Sequence, residues 1–171
     1  MEDTSFIIEG GERLSGEITL QGAKNSALPI LAAAVLAEGK NVIHNCPDLS
    51  DVRTALEILG HLGCAAVRRG HTVEVDARRI ANTSIPSRLM LKMRSSVIFL
   101  GALLGRMGEA EAAYPGGCEL GPRPIDLHIG ALRQMGAEIS EEFGRITAKS
   151  GRARSLSISL ALRQRCWSTT S

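Results

Sequence analysis

The chain has 171 residues, 44% of them hydrophobic but only 3% aromatic, enough apolar material for one ordinary core built from aliphatic side chains. Its formal net charge of +2 is too small to argue for a nucleic-acid or anionic-membrane partner, and no apolar stretch approaches the roughly 20 residues of a membrane span. The opening Met1-Glu2-Asp3-Thr4-Ser5-Phe6 lacks the basic-then-apolar order of an export signal, so a cytoplasmic protein is expected.

In chain order, Thr4–Glu9 and Gly16–Leu20 read as a strand pair around Gly10 and Gly11. An apolar helix follows from Ser26 to a glycine stop at Gly39, then a short strand at Asn41–His44. Asp48 and Ser50 stand where a second helix should begin. That helix covers Thr54 onward and closes at Gly63. Two strands, Ala65–Arg68 and His71–Asp76, turn at Gly70. The same order then recurs. An apolar helix from Arg94 stops at Gly108, and a strand covers Ala110–Tyr114. Arg123-Pro124 is placed for a helix start, the helix from Leu127 closes at Gly136, and strands at Glu138–Ser140 and Arg145–Lys149 turn at Gly144. The first glycine stops lie 69 residues apart and the second pair 73. This predicts an α/β fold of two repeated units, the second with a longer middle loop. The final residues, 151–171, hold Arg152, Arg154, Arg163 and Arg165 and no acid. That is a local +4, so the first 150 residues carry −2.

Three segments could carry chemistry. Gly22-Ala23-Lys24-Asn25-Ser26 joins the first strand pair to the apolar helix. The free N–H groups of a helix start attract anions, and a lysine there adds a full charge. The segment lacks the spacing of a Walker A loop or of a dinucleotide fingerprint, so Lys24 alone reads equally as a solvated lysine, with Asn25 or Ser26 an ordinary cap. Arg94 heads the matching helix of the second unit. A cation there conflicts with the helix dipole unless something negative lies near. Pro115-Gly116-Gly117-Cys118-Glu119-Leu120-Gly121-Pro122-Arg123-Pro124 is a loop by composition, and loops of this kind serve sites more often than cores. A thiol within it can act as general acid or nucleophile once its surroundings tune it. Arg123 is suited to bidentate phosphate recognition. Of the other thiols, Cys46, Cys64 and Cys166, none forms a C-x₂-C pair, and free cysteines are expected. His44, His61, His71 and His128 show no metal-like spacing and read as structural.

Taken together, Gly22 to Ala33, Pro47-Asp48-Leu49-Ser50-Asp51-Val52, Met93-Arg94-Ser95-Ser96 and Pro115 to His128 resemble the UDP-N-acetylglucosamine enolpyruvyl transferases, with matching order and spacing from residue 6 to about 150. The resemblance implies two domains of three βαβαββ units each, an inside-out barrel with the active site in the cleft between them. Residues 1–21 would then belong to the second domain. Residues 22–150 would supply two of the three units of the first, at 22–78 and 86–150. Residues 151–171 would be a basic tail without family counterpart, read as out-of-frame translation, and the whole as an amino-terminal fragment.

The reaction implied is transfer of enolpyruvate from phosphoenolpyruvate to the 3′-hydroxyl of UDP-N-acetylglucosamine, the first committed step of peptidoglycan synthesis, with no metal or organic cofactor. By the same resemblance Cys118 is the proton donor, and Lys24 and Asn25 contact phosphoenolpyruvate. Arg94 and the stretch Arg123, Pro124, Ile125, Asp126 and Leu127 hold the UDP-sugar. Two rivals stay open: the shikimate-pathway enolpyruvyl transferase, which shares the fold without a cysteine in this loop, and a non-catalytic remnant or binding module.

Overall fold

The computed structural model describes residues 5, 7–11, 13, 15–114 and 125–150. The first unit contains α1 (Lys24–Ala33), β1 (Lys40–Ile43), α2 (Ser50–Leu62), β2 (Ala65–Arg69) and β3 (Thr72–Asp76). Its strands form a three-stranded antiparallel sheet in the order β1-β3-β2. The second unit contains β4 (Ser84–Ile85), α3 (Ser87–Lys92), α4 (Ile98–Met107), β5 (Glu109–Ala113), α5 (Asp126–Gln134), β6 (Ala137–Glu142) and β7 (Arg145–Ser150). Here the sheet runs β4-β5-β7-β6, with β4 parallel to β5 and the other pairs antiparallel. Positions β5, β6 and β7 repeat β1, β2 and β3, so the α/β repeat expected from the glycine spacing is the architecture observed. Among the described residues, only the second unit carries the leading parallel strand. Short β4 and α3 go beyond the sequence expectation, because two residues of strand and six of helix leave no periodic signal.

Two expectations fail. Residues 7–11 and 16–20 form no strand. Ile7, Ile8, Ile18 and Leu20 are each more than three-quarters exposed, and an isolated strand pair with no face to bury is marginal in water. Nor does Gly39 stop the first helix. Helix α1 tightens into a 3₁₀ turn at Ala34–Leu36 and is over by Ala37. Gly39 has an ordinary backbone and nothing within 4 Å of a Cβ built on it. In the second unit Gly108 does end α4, with φ of 76° in the left-handed region. The same device closes α2, where Gly63 has φ of 100°. Past α5, Gly136 has φ of 97°.

One continuous core joins the units. Leu31, Val35, Ile58, Leu59 and Leu62 from the first are fully buried with Phe99, Leu103 and Ile146 from the second. Helix α1 packs on both α2 and α4. Helix α2 follows the helical period, burying Val52, Ala55, Ile58, Leu59 and Leu62. Arg106, in the last turn of α4, spans the join. Its guanidinium donates to the Val35 carbonyl at 3.4 Å and to the Ala77 carbonyl at 3.3 Å, with its side chain only 13% exposed.

Candidate functional site

The site begins with a close backbone approach. A Cβ on Gly22 would lie 2.0 Å from the Asn45 carbonyl oxygen, so only glycine lets the entry to α1 lie against the loop before α2. Asn45 itself sits at φ 53°. Beyond it Asp48 accepts from Arg53 at 2.9 and 3.0 Å, and Arg68 donates to the Cys46 carbonyl at 2.7 Å. The Arg53 hydrogen bond holds the Asp48 carboxyl below its ordinary range. These contacts fix the start of α2, and with it Asp51 in that helix's first turn.

Helix α1 starts at Lys24 behind Ala23, which gives no side-chain cap. Asn25 and Ser26, expected as possible caps, lie inside the first turn. The Ser26 and Ala27 amides both donate to the Ala23 carbonyl. Pro29 within the helix has no N–H to give the Asn25 carbonyl, so the opening turn is loosely bonded. From it the Lys24 ammonium reaches the Asp51 carboxylate at 3.0 Å.

Arg94 arrives from the second unit. Met93, 2% exposed and extended at φ −142°, breaks α3 from the 3₁₀ turn Arg94–Val97. The buried Ser96 hydroxyl donates back to the Met90 carbonyl at 3.1 Å and fixes that break. Lys92 is drawn away to Glu57 on α2, at 2.8 Å. Arg94 makes no ion pair among the described residues.

Lys24, Asn25, Asp51, Arg94, Ile125 and His128 share the wall of one cavity of about 320 Å³. Four residues expected at the site therefore meet: Lys24, Asn25, Arg94 and Ile125. Asp126 and Leu127 start α5 as exposed residues and are not among the described residues of the cavity wall. Cys118, Arg123 and Pro124 lie outside the described residues. Asp51 and His128 are additions. Asp51 stands in a matched motif without an assigned role, and its signal is the unbalanced lysine across the chain. His128 reads as structural in the sequence, yet it is exposed on the cavity wall. The other histidines fit that reading better. His44 contacts the Thr72 hydroxyl and His61 the Ser84 carbonyl. A larger cavity, about 430 Å³, lies by Gly63, Asp76, Arg78 and Arg79, but Asp76 already occupies Arg78. Arg79 there makes no ion pair among the described residues either, so what sets the smaller cavity apart is the start of α1 with Lys24 and Asn25 on its wall.

Among the described residues no group of histidine, cysteine or carboxylate side chains is arranged to hold a metal, and no helix is long and apolar enough to cross a membrane. Cys46 and Cys64 are buried free thiols. Burial raises the pKa of each, offset in part by Arg68 at Cys46 and by Arg106 at Cys64.

The fold of these repeated units matches solved enolpyruvyl transferases. The enolpyruvyl transferase NikO from Streptomyces tendae superposes with a TM-score of 0.72 at 27% identity, over 84% of this chain and 32% of that one. EPSP synthase from Acinetobacter baumannii shares the fold at a TM-score of 0.60 and 18% identity, over 82% of this chain and 33% of that one. A family profile described as EPSP synthase (3-phosphoshikimate 1-carboxyvinyltransferase) matches residues 8–162, and the chain belongs to that family. The match runs past residue 150, where the sequence resemblance was expected to end.

Within the family, curated relatives named UDP-N-acetylglucosamine 1-carboxyvinyltransferase are much more similar. The protein so named, with the suffix 2, from Caldanaerobacter subterraneus subsp. tengcongensis is 50% identical over 157 residues, 92% of this chain and 38% of that protein. The one from Psychrobacter arcticus is 47% identical over 145 residues, 85% of this chain and 34% of that protein. The chain thus spans little more than a third of the curated relatives it matches.

Proposed function

We propose that this chain forms part of an enolpyruvyl transferase that joins the 3′-hydroxyl of UDP-N-acetylglucosamine to phosphoenolpyruvate, the step that commits the sugar nucleotide to peptidoglycan. The observation that carries this reading is the cavity gathering Lys24, Asn25 and Arg94 from positions some 70 residues apart. A cytoplasmic location goes with it.

The chemistry asks for few groups. The O3′–C2 bond forms as the hydroxyl gives up its proton to a base or to solvent and C3 gains one. Loss of a proton from C3 and cleavage of the C2–O bond to phosphate then restore the double bond. Lys24 and the unfilled amides at the start of α1 suit the phosphate of phosphoenolpyruvate, whose charge they offset before and during its departure. Asn25 supplies an uncharged donor beside them. Arg94, with the stretch Arg123 to Leu127, suits the diphosphate and uridine of the sugar nucleotide. Cys118 is the proton donor to C3 in this reading, a role a thiol can take once its pKa is tuned.

Two measurements test the proposal. Phosphoenolpyruvate titrated into the purified chain should bind roughly ten- to a hundredfold more weakly after Lys24→Met, the loss of one charge-assisted contact of about 1.5–3 kcal/mol. The epoxide antibiotic fosfomycin, a thiol-directed inhibitor of the resembled family, should label Cys118 before Cys46 or Cys64. The latter two are buried with raised pKa values and hold little thiolate. First labelling at Cys46 or Cys64 in folded protein would remove Cys118 from its role.

A further inference from the structure

We propose that Asp51 is the resident counter-ion of Lys24, which phosphate must displace, so that Asp51 holds down the cavity's affinity for free phosphate. The inference rests on the reading that Lys24 receives the phosphate of phosphoenolpyruvate. It adds a residue that governs how firmly the released phosphate is kept.

Three observations converge. First, the Asp51 carboxylate lies 3.0 Å from the Lys24 ammonium, and both line the same cavity. Second, the two groups are differently held. Asp51 is fixed in the first turn of a thirteen-residue helix and its side chain is 26% exposed, while Lys24 is 49% exposed on a flexible stem. The lysine can swing, and the carboxylate is the stationary partner. Third, Arg94 lines the same wall without a carboxylate of its own among the described residues. One cation is thus committed and the other is not, and the cavity takes an anion most strongly when its charge reaches both.

Asp51 acts in two ways. It occupies the ammonium that a phosphate would seek, and its own charge repels the phosphate once that has docked. A dianion on the far side of the ammonium would lie about 6 Å from the carboxylate, which in water at ~0.1 M salt weakens binding about threefold, approaching tenfold at low ionic strength. Phosphate leaving the site therefore has a built-in competitor waiting for the lysine.

The test is equilibrium titration of inorganic phosphate and of phosphoenolpyruvate into the full chain, in the parent and in the Lys24→Met variant. With Lys24 present, Asp51→Asn should tighten phosphate binding more than about threefold at ~0.1 M salt, because freeing the ammonium adds to the lost repulsion, with a larger gain at lower salt. In the Lys24→Met background the gain should fall to about threefold, where only the direct repulsion between Asp51 and phosphate is left. Asp51→Glu keeps the charge and should stay within twofold of the parent. Circular dichroism of each variant verifies that α2 is retained, since a lost helix would weaken binding instead of tightening it. Unchanged or weaker phosphate binding in Asp51→Asn overturns the proposal, as does an equal gain in Asp51→Glu or in the Lys24→Met background. If Lys24→Met leaves phosphoenolpyruvate binding unchanged, the functional reading fails with it. If only the Asp51 effect is missing, the functional reading survives and this inference does not.

Discussion

The two units share a plan and differ in how they finish it. In the first, α1 dissolves into a 3₁₀ turn and the sheet has three strands. In the second, α4 ends on a left-handed glycine and the sheet gains β4. Charges are exchanged along the way. Lys40 of β1 faces Asp76 of β3, whereas the equivalent pair on β5 and β7 is Glu109 with Lys149. At the heads of the first helices, Lys24 has a carboxylate partner and Arg94 has none among the described residues. Repetition has kept the strand order and the glycine turns while leaving side-chain partnerships free to diverge. The candidate site exploits that divergence, because two equivalent positions supply two cations with different commitments.

The sharpest way to break the comparison is to ask whether the units are separate folding bodies. Leu31→Ala in the first and Phe99→Ala in the second each empty a fully buried position, at a cost of about 2–5 and 3–5 kcal/mol respectively. Because one core joins them, each substitution should shift a single urea transition followed by circular dichroism. Two transitions, only one of which moves in each variant, would make the units independent.

A smaller effect separates the two glycine stops. Gly108→Ala forces a side chain into the left-handed region and should cost about 1–2 kcal/mol. Gly39→Ala should cost nothing measurable, since its backbone is ordinary and its surroundings are open. Equal losses in the two denaturation midpoints would restore the symmetric reading.

The smallest effect lies in the exchanged charges. Hydrogen bonds from Arg78 are the main cause lowering the Asp76 pKa from 3.8 to about 2. A carboxylate depressed in the folded state stabilises fully above its unfolded value and loses that contribution as pH falls through the folded one. Arg78→Gln should therefore flatten the fall in urea midpoint between about pH 4 and 2. The ion pair is exposed, so the change should be slight. A variant whose acid limb overlays that of the parent would show that Arg78 contributes nothing there.

Much of the fold is legible in the sequence because glycine and hydrophobic period are local signals. Gly63, Gly70, Gly136 and Gly144 each mark a positive-φ turn, and β1, β2, β3, β5, β6 and β7 lie within two residues of their expected bounds. The first strand pair misleads because its alternation is real but its covering surface is not among the described residues, and a pattern cannot announce whether a partner exists. Gly39 misleads because composition does not reveal φ. At the site, Lys24, Asn25 and Arg94 are readable from motif order. Asp51 is not, because its role depends on an approach between α1 and α2 that Gly22 alone permits. His128 escapes for a similar reason: one turn of α5 decides whether it faces core or cavity.

Arg106 has a consequence for the order of assembly. Its acceptors on Val35 and Ala77 are 71 and 29 positions away along the chain. Closing such loops costs entropy before any contact repays it, so these bonds cannot help the early steps of folding. They become available once the 3₁₀ end of α1 and the end of β3 are in place, and they then resist separation of the two units. Interactions formed that late slow unfolding more than they speed folding. A single arginine, with no part in the proposed chemistry, is thereby expected to act as a latch on the lifetime of the folded state, and Arg106→Gln should raise the unfolding rate in a chevron while leaving the folding rate nearly unchanged.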